Sequence, residues 1–122
     1  MSRRRWGPPA LWAAFILVLT SIPGPELAPI GAFAFPGADK LVHLGLYAVL
    51  GALVARAAHP ASARTLGSLL IGVAAFAAAD EWHQRFIPGR SADARDFAAD
   101  CAGAFAGLVA ATHLLRRKIS PS

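Results

Sequence analysis

The chain has 122 residues, of which 56% are hydrophobic and only 16% charged, with a formal net charge of +5. Ordinary soluble domains run at roughly 45–50% apolar and about 25% charged residues, so a water-exposed globule is excluded, and the length fits one domain over residues 1–122. The basic residues form no stripe with interleaved aromatics, which excludes nucleic acid as a partner, and the lone Cys101 excludes an intrachain disulfide or a CxxC metal or redox motif.

The apolar residues fall in blocks separated by charged punctuation. A bilayer is crossed by a helix of about 17–25 mostly apolar residues, and the blocks predict an all-α integral membrane bundle of four transmembrane helices. The first helix is expected over residues 6–22, with Pro8 and Pro9 suited to its first turn. It reads as a retained helix rather than a signal peptide, because its exit, SIPGPE, lacks an Ala-x-Ala-like cleavage site. The run LAPIGAFAFPGA (27–38) is broken by prolines and glycines and is too short to cross, so an interfacial loop is expected between the first two helices. The second helix is expected over 40–58 and the third over 65–82, joined by HPASAR (59–64) as an antiparallel hairpin. The fourth is expected over 96–115.

Charge sets the expected orientation. Arg3, Arg4, Arg5, Arg56, Arg64, Arg116, Arg117 and Lys118 collect on one face of such a bundle, with no acid among them. Lys40, Arg85, Arg90 and Arg95 share the opposite face with all seven acids. Basic loops stay in the cytoplasm, which predicts both termini inside and the acids facing outward, from the inner (cytoplasmic) membrane of a bacterium.

Three motifs carry the polar residues. In DKLVHLGLY, Asp39, His43 and Tyr47 recur every four residues and share about an 80° arc of a helix. A carboxylate there can orient the imidazole, although a lone histidine on an apolar face is more often structural. In DEWHQRFIPGR, Glu81 and Gln84 project to roughly one side, Asp80 and Gln84 stand four apart, and Glu81 could pair with Arg85. Trp82 suits an interfacial anchor. Pro88 and Gly89 predict a tight turn that brings Arg90 to the base of the fourth helix, where its guanidinium could bridge the acids or clamp an anionic ligand. In DFAADCAGAFAG, Asp96 and Asp100 lie in register above Gly103 and Gly107. Glycines four apart allow close approach of a second helix, which places these acids at a helix seam. Asp100, a turn inside the span, must pair, bind a cation or hold its proton.

These residues resemble the VanZ-like membrane proteins, a family named for an accessory teicoplanin-resistance protein. The resemblance runs from the Ser21-containing end of the first helix through Asp39, Lys40, His43 and Tyr47, then Glu81, Gln84, Phe86, Pro88, Gly89 and Arg90, to Asp96, Asp100, Gly103 and Gly107. The family pattern usually has asparagine where this chain has Asp100. The resemblance implies a small four-helix membrane protein associated with glycopeptide resistance, and it supplies no settled chemistry.

Three functions compete. The first is an outward cluster that binds an outer-leaflet amphiphile: a lipid-linked envelope precursor, an anionic lipid or a glycopeptide antibiotic. Its contacts would come from Asp39, Lys40, His43, Tyr47, Glu81, Gln84, Arg90, Asp96 and Asp100. The second is a membrane-embedded hydrolase or transferase with His43, Asp39, Glu81 and Asp96 as acid/base candidates, and oxygen ligands that could hold a divalent cation. No cofactor is required by the sequence; HExxH-type spacing is absent, and Ser91 is the nearby hydroxyl nucleophile. The third is a structural assembly subunit whose acids staple the helices. The lipid bilayer is the expected partner, and a homo-oligomer fits all three.

Overall fold

The computed structural model describes residues 3–23, 37–89 and 93–119. They form four α-helices: α1 (Arg3–Thr20), α2 (Ala38–Ala58), α3 (Ala63–Gln84) and α4 (Ala94–Ile119). The expected interfacial loop falls mostly on residues 24–36, outside the described residues. Three stretches, Ala38–Ala58, Ala63–Gln84 and Ala94–Lys118, are long and apolar enough to cross a membrane. α1 has 18 residues but opens on Arg3, Arg4 and Arg5. It starts earlier than its prolines suggest, so Pro8 and Pro9 lie within it and cannot donate to the carbonyls a turn before them.

The distribution of side chains is the reverse of a water-soluble bundle. Leu11, Val18, Leu41, Ile71, Phe105 and Leu114 are each more than half exposed, whereas Thr20, Asp80, Gln84 and Asp100 are buried. Isolated exposed leucines mean little, but apolar exposure on all four helices around a polar interior means a lipid solvent. This is a membrane protein.

Helix α2 packs most extensively on α4, and the reason is visible in the glycines. A Cβ built on Gly103 would strike the Leu44 carbonyl oxygen, and one on Gly107 would strike that of Ala48 and lie 2.8 Å from its carbonyl carbon. Gly51 answers from α2, where a Cβ would strike the Ala104 carbonyl oxygen. In lipid there is no hydrophobic drive between helices, so such close backbone contact supplies van der Waals attraction instead. Below the polar end, Ile16, Tyr47, Leu50, Val54, Val73, Ala77, Ala104 and Leu108 make one apolar core from all four helices. α1 touches α2 more than α3, and the Trp12 indole N–H donates to the Leu46 carbonyl at 2.8 Å.

The tight link between α2 and α3 is fixed by its caps. His59 closes α2 in the left-handed region (φ 49°), its amide donating to the Ala55 carbonyl. The Ser62 side chain then accepts the Thr65 amide at 3.1 Å and opens α3. Arg116, near the end of α4, donates to the Pro60 carbonyl at 3.2 Å and ties α4 to this link.

Candidate functional site

The antiparallel packing brings the start of α2, the end of α3, the start of α4 and the end of α1 to one pole of the bundle. Polar side chains there lie in three tiers, one helical turn apart along α2. The deepest centres on Asp80, whose two oxygens accept from the Thr20 hydroxyl at 2.7 Å and the Tyr47 phenol at 3.1 Å. Three helices are thereby tied through one carboxylate.

The middle tier centres on His43. Its Nδ1 lies 2.7 Å from Asp100 Oδ1 and 3.8 Å from Glu81 Oε1, and its Nε2 lies 3.9 Å from Asp96 Oδ2. The His43 ring and the Asp100 carboxyl share this one hydrogen bond, and the tautomer of the imidazole sets which of them donates. Glu81 in turn accepts from the Gln84 amide at 3.3 Å and the Asp93 backbone N–H at 3.2 Å.

The outer tier is Lys40. Its ammonium contacts Asp39 at 2.8 Å, Asp93 at 3.1 Å and Asp96 at 2.9 Å, bridging α2 to the start of α4. The Arg95 backbone amide and the Lys40 ammonium hold the Asp93 carboxyl below the usual carboxylate range. Trp82 and Phe86 stack edge to face at 5.2 Å on the outside of the same pole, as aromatic anchors at a headgroup layer do.

A family model described as VanZ/LLP1 matches residues 7–116, a stretch that reaches into all four helices and takes in every one of these groups. The chain belongs to the VanZ/LLP1 family. No curated protein and no solved structure matches it.

In this VanZ/LLP1 protein the structure gathers Lys40, His43, Tyr47, Glu81, Gln84, Asp96 and Asp100 at one pole, all but Lys40 buried. Asp39 is there too, but it does not orient His43. That place is taken by Asp100 from across the seam, while Asp39 stands at the outer end of α2 with its carboxylate on Lys40. The glycines of α4 are the cause, since they draw Asp100 within reach of the imidazole. Glu81 turns inward and leaves Arg85 exposed, so the pairing expected within α3 gives way to contacts between elements. Arg90 lies outside the described residues.

Two members of the cluster were not foreseen as such. Asp80 reads in sequence only as a neighbour of Gln84, although an acid a turn inside an apolar helix needs partners on other helices. Thr20 carries no sequence signal. The VanZ resemblance points to Ser21, but the Ser21 hydroxyl donates back to the Leu17 carbonyl at 2.6 Å on an exposed face.

Among the described residues six carboxylates stand at this pole, and the basic side chains that contact the buried ones are Lys40 and His43. Asp100 Oδ2 is buried without a hydrogen-bond partner among the described residues, so it can take one more positive or proton-donating group. His43, Glu81 and Asp100 offer ligand atoms within 4.8 Å of one another. An imidazole nitrogen with carboxylate oxygens suits a zinc- or manganese-class divalent ion, so these three residues fit a metal.

Proposed function

We propose that this VanZ/LLP1 protein spans the inner membrane four times with both termini in the cytoplasm, and that its acid-rich pole opens to the outer leaflet, where it binds the polar head of an amphiphile. The observation that carries the proposal is the buried oxygen of Asp100, unpartnered among the described residues, in a cluster where those residues bring more carboxyl groups than basic side chains. Such a site favours a ligand that brings positive charge, either as an ammonium group or as a divalent cation bridging to phosphate. Lipid-linked envelope precursors and glycopeptide antibiotics are the ligand classes that fit, with teicoplanin-type resistance as the outcome in a cell that meets the drug. Lys40 is already engaged by three carboxylates, so His43, Glu81 and Asp100 are the residues left to meet the head.

The test is binding of a lipid-linked precursor by the protein in nanodiscs, with and without added divalent cation, for the native chain and for His43→Ala and Glu81→Gln. Binding should fall at least about tenfold in both variants at equal membrane abundance, which corresponds to about 1.4 kcal/mol. Unchanged binding in both would sink the proposal.

A second reading has its own support. Lys40 bridges α2 to α4, and Asp80 bridges α1, α2 and α3, so part of the cluster staples the bundle whatever it binds. Under a purely structural role both variants would lose abundance and stability together.

A further inference from the structure

The opposite pole of the bundle holds a cavity of about 280 Å³ lined by Arg5, Pro8, Leu53, Arg56 and His59. We infer that this cavity is a binding site for the headgroup phosphate of an anionic phospholipid, held between the Arg5 and Arg56 guanidiniums.

Charge makes the first case. Every described Asp and Glu belongs to the polar pole, so no carboxylate of these residues can reach Arg5 or Arg56. Two guanidiniums from different helices nonetheless face one void. Left alone they repel; a phosphate between them is attracted by both and can accept paired N–H bonds from each fork. The C-terminal end of α2 carries about half a negative charge from its carbonyls, but two full positive charges outweigh it. The first turn of α1, with Arg5 in it, presents the favourable end of its own dipole.

The rest of the lining distinguishes a lipid from a free anion. Beside His59 the wall is made of Pro8 and Leu53, which offer nothing to the oxygens of inorganic phosphate, whereas the glycerol and first acyl carbons of a lipid would lie against them. The height is right as well, because Arg56 sits in the last turn of α2, at the rim of a span long enough to cross the bilayer. Basic pockets between transmembrane helices hold anionic headgroups for these same reasons. The site does not depend on what the acidic pole binds, nor on which way the bundle faces, since either orientation puts it in a headgroup layer.

The lipid would also do structural work. α1 is the helix least tied to its neighbours, and a phosphate shared by Arg5 and Arg56 would join α1 to α2.

The test uses the full-length chain purified in detergent, with native mass spectrometry after addition of phosphatidylglycerol or phosphatidylcholine, and melting curves on the same samples. The native chain should retain phosphatidylglycerol about 30-fold better than phosphatidylcholine, as expected for two interfacial arginines, and should melt higher with it. The double variant Arg5→Gln/Arg56→Gln should lose that preference, while Arg117→Gln, at the same pole but outside the cavity, should keep it. If the double variant does not fold, Arg56→Lys serves instead: it keeps the charge, loses the fork, and should show a reduced preference. Equal retention of the two lipids by the native chain overturns the proposal, as does an undiminished preference in the cavity variants. Equal stabilisation by millimolar inorganic phosphate would assign the cavity to a free anion and overturn the lipid.

Discussion

The two poles of this bundle handle charge in opposite ways. At one, carboxylates from three helices converge with a lysine and a histidine, most of them buried and bonded to one another. At the other, arginines from α1 and α2 share a cavity with no carboxylate in reach among the described residues. Burying a charge in lipid costs several kcal/mol unless it is paired, so the acidic pole has to be assembled by the protein itself. The basic pole can leave its charges for the membrane to neutralise. The acidic pole should therefore be fragile to internal substitutions, and the basic pole sensitive mainly to lipid.

The largest effect should come from damage to the acidic pole that touches none of its charges. Gly107→Val would force a side chain into the Ala48 backbone and push α4 off α2, parting His43 from Asp100 above. Overpacking of this kind costs up to about 3 kcal/mol, and backbone has little room to yield. Melting in detergent should show a loss of that order; a variant that melts like the native chain would mean that the glycine seam does not hold the cluster together. Next in size is Asp80→Ala, which strands the Tyr47 and Thr20 hydroxyls and should cost about 2 kcal/mol. Asp80→Asn keeps an acceptor and should recover about half of it. If the two substitutions melt alike, the ties among three helices are not what makes Asp80 matter.

A third substitution separates holding the cluster together from binding through it. Asp100→Asn is nearly isosteric and can still bond to the His43 ring, so stability should change by less than about 1 kcal/mol. It removes one carboxylate ligand from the His43, Glu81 and Asp100 group, and manganese affinity, read by electron paramagnetic resonance, should fall about tenfold or more. The asparagine usual in the VanZ-like pattern is the same substitution, so this chain's aspartate would mark a cation-binding variant of the pole. Native protein that leaves the manganese spectrum unchanged would end the metal reading and leave direct binding of an ammonium head.

How much of this was legible in the sequence follows from what each residue depends on. Helix number and order, and the gathering of His43, Glu81, Asp96 and Asp100, were readable because apolar blocks, short links and the Gly103/Gly107 register are local patterns. Helix ends were less so: α2 begins at Ala38 and α4 runs to Ile119, about half a turn and one turn beyond the expected ends, since amphipathic ends continue a helix at little cost. The partner of His43 was not readable. Asp39 and Asp100 are both chemically suitable, and the depth to which α4 sinks against α2 decides between them. Thr20 was hidden for the same reason, because one hydroxyl becomes a ligand of Asp80 only through the angle at which α1 crosses the bundle.

The smallest expected effect lies at the rim of the acidic pole, where Asp93 precedes α4. Its Oδ1 accepts the Arg95 amide at 2.9 Å and its Oδ2 accepts from Lys40 at 3.1 Å, and these contacts lower its folded pKa from an ordinary 3.8. A carboxyl whose pKa falls on folding binds fewer protons in the folded state, so its contribution is complete above the ordinary value and is lost as pH drops through the lowered one. The difference in melting temperature between native chain and Asp93→Asn should thus be flat from pH 7 to about 5 and shrink below about 4. The carboxyl is open to water and salt screens it, so the whole difference should be a small fraction of the Asp80 effect. The basic pole supplies the contrast: its arginines keep their charge throughout this range, so retention of a phospholipid there should not follow the Asp93 curve. If lipid retention and the Asp93 difference decline together, the two poles are coupled through the helices, and the separation of their roles fails.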